Sequence, residues 1–131
     1  MEFPDNLKYT RTHEWVRVEE DGTVLMGVTD YAQDAMGDLV YIELPDVSDV
    51  SVSREEPFAV VESVKAVQDV YAPLTGRVTE VNDELPNSPE VVNQDPYGDG
   101  WMVRLEIEAK DELEELMGAA EYKEMVDDIS P

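Results

Sequence analysis

The alternation of apolar and polar positions divides the chain into short strands. Residues 9–19 read as a strand with polar interruptions around Glu14, Trp15, Val16, Arg17 and Val18, and Asp21-Gly22 supplies a tight turn into a second, antiparallel run over 23–28. Thr29 or Asp30 can cap a short helix over 31–36, and Gly37 stands where a left-handed residue would end it. A strand over 38–44 is stopped by Pro45. Residues 46–57 are polar and weakly patterned, a loop or edge in which Val47, Val50 and Val52 give only a hint of strand. Residues 58–62 and 67–71 are apolar and β-branched, and Ser63-Val64-Lys65-Ala66 joins them as a hairpin.

After a Pro73-Leu74-Thr75-Gly76 turn, residues 77–81 alternate again. Residues 85–100 carry Pro86, Pro89, Pro96, Gly98 and Gly100 and read as a long loop before a last strand over 101–108. Asp111 with Glu114 resembles a capping box, opening a helix with Leu113, Leu116 and Met117 on one face. Gly118 interrupts it, and a second short helix runs from Ala119 to about Asp127. The pattern predicts a mainly β sandwich or flattened barrel with small helices, the last two forming a C-terminal pair over about 111–128.

A chain of 131 residues without repeats or linker-like stretches fits one domain, spanning 1–131. No apolar run is long enough to cross a bilayer, and the first ten residues have neither a basic start nor an apolar core, so a cytoplasmic location without membrane contact is expected. Cysteine is absent and His13 is the single histidine, which removes thiolate nucleophiles, sulfur ligands and His-rich metal sites. Thirty-two acidic residues against nine basic ones give a net charge of −23, spread along the chain, which disfavours nucleic acid as a partner. Self-repulsion at this density is relieved where salt shortens the Debye length to roughly 3 Å at 1 M, so a halophilic source is expected, with docking of a basic partner as the competing reading.

Among the four lysines, Lys8, Lys110 and Lys123 lie towards the ends of the chain among acidic or polar residues, whereas Lys65 sits between two apolar strands. A lysine amine is almost wholly protonated at neutral pH, and a Schiff-base catalyst needs burial or a neighbouring cation to change that. Lys65 has Glu62 near it instead, which disfavours a self-acting catalyst. A lysine on a hairpin tip is well placed to be acylated by another enzyme and to carry cargo on a flexible arm. It also serves, more plainly, to keep an edge hairpin from aggregating.

The blocks from Tyr9 to Val16, Gly27-Val28-Thr29-Asp30-Tyr31-Ala32-Gln33, Gly37-Asp38-Leu39-Val40-Tyr41-Ile42-Glu43-Leu44-Pro45, Glu62-Ser63-Val64-Lys65-Ala66 and Asp95-Pro96-Tyr97-Gly98-Asp99-Gly100-Trp101-Met102 resemble, in order, the signatures of the glycine cleavage system H protein family. The resemblance spans nearly the whole chain. It implies a lipoyl/biotinyl-carrier fold, the barrel-sandwich hybrid, with a lipoyl hairpin over about 58–72. It further implies lipoate bound covalently as N6-lipoyllysine at Lys65, with Glu62, Ser63, Val64 and Ala66 available to the lipoylating enzyme.

In that family a pyridoxal-phosphate-dependent glycine decarboxylase loads the arm with an aminomethyl group. An aminomethyltransferase unloads it and dihydrolipoamide dehydrogenase reoxidises the dithiol, so the chain itself is a non-catalytic carrier, expected to be a monomer. Glu14, Thr12 and Asp69 match the family's arm cleft, and Tyr31, Tyr41 and Trp101 are expected in the core. The stretch 47–57 departs from the family in lacking its usual glycines, with Asp49, Ser53 and Arg54 there instead.

Biotin is disfavoured because Val64 and Ala66 flank the lysine in place of methionines, and a 2-oxoacid dehydrogenase lipoyl domain is disfavoured by the lack of a flexible linker. An H-like donor relaying lipoate to other complexes is the alternative.

Overall fold

The computed structural model describes residues 1–46 and 50–129. Among the described residues nine strands form two antiparallel sheets. The larger has the order β1 (Lys8–Tyr9), β2 (Glu14–Val18), β3 (Val24–Val28), β9 (Val103–Ile107), β8 (Gly76–Val81), β5 (Ser51–Val52). The smaller has β4 (Leu39–Glu43), β6 (Pro57–Ser63), β7 (Val67–Tyr71). Helices are α1 (Asp30–Met36), α2 (Glu90–Gln94) and α3 (Ala119–Ile129), with a 3₁₀ segment at Lys110–Glu115. This is the expected mainly β sandwich with short helices, and its sheets do not close into one barrel.

The β2–β3 register pairs Glu14 with Val28, Trp15 with Gly27 and Val16 with Met26. Alternation then sends Val16, Val24 and Met26 into the core between the sheets, where they meet Leu39 and Ile42 of β4, Val61 of β6 and Val70 of β7. Trp15 and Leu25 point the other way and pack with Tyr9, Met117, Tyr122 and Val126 beneath α3. Covering both faces explains why β3 is buried at every position. Gly27 leaves room for the indole, since a Cβ there would lie 3.0 Å from Trp15 Nε1.

Thr29 caps α1 as expected, its Oγ accepting from Ala32 N–H, and Gly37 ends the helix at φ 83°. Four readings change. The strand over 9–19 is split by a turn at 10–13, with His13 at φ 73°. The loop over 85–100 contains α2, too short and too close to prolines to show a period. The loop or edge expected over 46–57 is present, with the two-residue edge strand β5 within it, and Val47 lies outside the described residues.

The first C-terminal helix is a 3₁₀ turn without a capping box: Ala109 occupies the cap position, and Glu112 instead accepts from Thr75 N–H (2.7 Å) and Oγ–H (2.9 Å) across the fold. Tyr41 is exposed, because an irregularity between Leu39 and Tyr41 turns both Val40 and Tyr41 outward, while Tyr31 and Trp101 are partly buried against the cluster under α3.

Candidate functional site

The β6–β7 hairpin closes at Glu62 opposite Val67, leaving Ser63–Ala66 as its turn. Ser63 N–H donates to Ala66 O (2.8 Å), and the buried Ser63 Oγ accepts from the N–H groups of Lys65 (3.2 Å) and Ala66 (3.1 Å). Ser63 is thus the internal scaffold of the turn, with Glu62 and Ala66 partly covered and Val64 fully presented at 75 % exposure. Val64 N–H also reaches Asp38 O (3.3 Å), which ties the tip to the end of α1.

The Lys65 side chain is exposed and, among the described residues, makes no ion pair or hydrogen bond. Its stem lies over Gly37, where an added Cβ would stand 3.6 Å from Cε. Met36, one residue earlier, lines a narrow cleft between α1, β2 and β7. Its open volume is only about 20 Å³, room for about one water. Thr12, Glu14 and Asp69 all line it, so the three residues expected to face an arm do share one site. Asp69 is exposed at the rim.

Glu14 is 2 % exposed. One oxygen accepts from Thr10 Oγ–H (2.6 Å) and Thr12 Oγ–H (2.5 Å), the other from Tyr71 N–H (3.4 Å). Burial pushes its carboxyl up to about 7, with the bonds from Thr10, Thr12 and Tyr71 holding it lower than burial alone would. Among the described residues no salt bridge reaches it. The result is an acidic group poised near neutrality that lacks a cation, and a cationic amine entering the cleft would supply one. A larger cavity of about 380 Å³ lies beyond Thr10 and Thr12, lined by Tyr9, Arg54 and Tyr71 among others. Glu14 does not line it, so the smaller cleft is the chemically equipped one.

Two contributors escape sequence reasoning. Thr10 provides one of the two hydroxyls on Glu14 and also accepts from Glu14 N–H (3.0 Å). Asn93 of α2 receives Leu39 N–H (2.9 Å) and donates to Gln33 Oε1 and Gly37 O (both 3.0 Å), fixing the floor on which the hairpin tip rests. An asparagine in a Pro/Gly-rich stretch signals only a turn, so nothing in the local pattern marks this role.

Two facing antiparallel sheets with a lysine presented on a tight hairpin give a fold of the barrel-sandwich hybrid class. Comparison with known proteins narrows this. The family profile described as Glycine cleavage H-protein matches residues 7–129. A glycine cleavage system H protein of Psychrobacter sp. is 56 % identical over 120 residues, covering 92 % of this chain and 94 % of that one. One of Halorhodospira halophila is 53 % identical over 127 residues, 97 % of each. The crystal structure of a glycine cleavage system H protein from Mycobacterium marinum superposes with a TM-score of 0.83 at 39 % identity, covering 91 % of this chain and 94 % of that one. The chain belongs to the glycine cleavage H-protein family.

Proposed function

We propose that the chain is the lipoyl-carrying component of a glycine cleavage system, modified at the Lys65 amine, and that it shuttles the aminomethyl group of glycine between partner enzymes without catalysing the chemistry itself. The observation that carries this reading is the joint geometry of an uncommitted lysine on a rigid hairpin and a buried, cation-free carboxylate in the cleft beside it. The residues present fit the group. The exposed amine can be acylated, the stem lies against Gly37 at the cleft's edge, and Met36, Leu39 and Val61 offer apolar lining. When bound, the lipoyl group supplies the sulfur and the dithiol–disulfide couple that a chain without cysteine lacks.

In this reading Glu14 holds the cargo amine, with Thr12 keeping the carboxylate aimed and Asp69 adding negative charge at the rim. Burying about four arm methylenes at roughly 0.8 kcal/mol each contributes about 3 kcal/mol before ordering costs, enough to bias the arm into the cleft without locking it there. Because only about 20 Å³ is open, the cleft must widen to admit it. The partners in this reading are the pyridoxal-phosphate-dependent glycine decarboxylase, the aminomethyltransferase, dihydrolipoamide dehydrogenase and a lipoylating enzyme, all meeting a cytoplasmic monomer. Exposed Val40, Tyr41, Val64 and Val67 surround the lysine and offer those enzymes apolar purchase on a surface otherwise dominated by acids.

Peptide mass spectrometry of the protein from its own cell tests the reading: a lipoyl adduct on Lys65 is expected, and an unmodified or biotinylated Lys65 overturns it. With the lipoylated protein loaded, Glu14→Ala is expected to speed loss of the cargo to water, and unchanged hydrolysis removes Glu14 from the assignment.

A further inference from the structure

His13 lines the arm cleft beside Glu14, yet its ring is engaged from behind by the C-terminal helix. His13 Nδ1 lies 2.8 Å from the hydroxyl of Tyr122 on α3, and that hydroxyl lies 2.7 Å from Thr29 Oγ at the start of α1. Tyr31 packs on the ring at 4.7 Å and Tyr122 meets it edge-on at 5.8 Å, so the ring plane is held on two sides. The main chain of His13 is held too, its carbonyl accepting from Thr29 N–H (3.1 Å), in a left-handed conformation at φ 73° that a free histidine seldom adopts.

Proton counting gives this chain a direction. Thr29 and Tyr122 are both fully buried, and Thr29 Oγ already accepts from Ala32 N–H (3.2 Å). The Thr29 hydroxyl proton has one acceptor in reach, the Tyr122 oxygen. With that oxygen receiving Thr29, the Tyr122 proton goes to His13 Nδ1. The reverse order would leave the Thr29 proton buried without an acceptor, a full desolvation cost for nothing gained. Nδ1 is therefore the bare nitrogen and Nε2 carries the proton. Nε2 has no hydrogen-bond partner among the described residues and is not sealed from solvent, so its proton is uncommitted. Burial also holds the imidazole neutral, which keeps Nδ1 available as the acceptor this order requires.

We propose that Thr29 and Tyr122 form a one-way hydrogen-bond relay that locks His13 in the Nε2–H tautomer, making His13 the donor that the cleft offers to a sulfur at the head of the arm while Glu14 is the acceptor for the cargo amine. The donor half rests on the carrier reading above; the relay does not. A head group bearing both an ammonium and a thiol then finds one complementary partner for each, which an arm without cargo cannot match. Tyr122 is a positioning residue acting through His13, and it couples the C-terminal helix to the cleft.

Because His13 is the single histidine, a two-bond proton–nitrogen correlation spectrum of the ¹⁵N-labelled chain contains one imidazole and reads its tautomer directly. The Nε2–H form is expected, with Tyr122→Phe relaxing it to a mixture. An Nδ1–H form in the unaltered chain, or a tautomer indifferent to Tyr122→Phe, overturns the relay. In the lipoylated protein, loading is expected to shift the Nε2–H resonance. His13→Asn tolerates the left-handed backbone, keeps a polar atom towards Tyr122 and lacks the outer donor. It is expected to lose cargo about five- to ten-fold faster, the worth of one neutral hydrogen bond. No shift on loading together with unchanged retention overturns the donor role. A wild-type chain with no lipoyl adduct on Lys65 overturns the carrier reading and the donor role with it, while the tautomer result still decides the relay.

Discussion

Glu14 shows how much one residue's placement can change its chemistry. Its folded carboxyl, raised to about 7, lies well above the ordinary 4.5 of an exposed chain, so between those values the folded state holds a proton that the unfolded state has released. Stability contributed at this position is therefore present below about pH 4.5 and is lost as pH rises towards 7, by about 3 kcal/mol at the upper bound. Glu14→Gln keeps the size and the acceptor for Thr10 and Thr12 while removing the ionisation. Melting curves across this range should show the variant losing less stability than the unaltered chain as pH rises, and parallel curves would refute the titration. As a sequence letter Glu14 sits beside Trp15 as one more acid among thirty-two. Its burial comes from β7, which crosses over it from more than fifty residues away.

At the scale of elements, the hairpin and the segment before it behave oppositely. The Ser63–Ala66 turn was legible because two apolar, β-branched runs flank a four-residue link that holds Ser63 and Lys65, and local pairing enforces it. Ser63→Ala leaves the N–H groups of Lys65 and Ala66 without their acceptor. It should destabilise the fold by about 1 kcal/mol and slow modification of Lys65 by the lipoylating enzyme, read as adduct formed against time in intact mass spectra.

Directly before β6 the backbone is strained: Glu55 takes φ 72°. A side chain in that region costs about 1 to 2 kcal/mol, partly offset by the greater chain entropy a glycine would lose, so Glu55→Gly should raise stability by up to about 1 kcal/mol. A lowered melting midpoint would show that the Glu55 side chain contributes more than its backbone strain removes. The exposed carboxylate of Glu55 lies 4.0 Å from Arg54 and offers little to set against the strain.

For the molecule as a whole, the dominant quantity is a net charge of −23 on 131 residues. The ion pairs present are exposed or partly exposed, such as Arg54–Glu115 and Lys123–Asp127, and each contributes little in water. Repulsion among the remaining acids is long-range and falls as the Debye length shrinks from about 10 Å at 0.1 M to 3 Å at 1 M salt. The unfolding midpoint should rise steadily with salt over that range. A flat or falling midpoint would assign the acids to docking a basic partner instead.

Most of the strands, the cap and stop of α1, the lysine hairpin and the mainly β architecture were readable from the chain alone, because each rests on interactions between residues close in sequence: alternation of faces, a Thr29 cap, a Gly37 stop, a turn chemistry. What only the tertiary structure decided are the properties that arise when distant segments meet. Thr10, Thr12 and Tyr71 converge on Glu14, and Asn93 braces Gly37 and Leu39. Tyr122 reaches His13 from 109 positions away. The bulge that turns Tyr41 outward and the cross-fold bonds of Glu112 that replace a capping box belong to the same class. Local pattern carries no record of such partners, since which polar group is desolvated and what then satisfies it are set by the packing of the two sheets and of α3 against them.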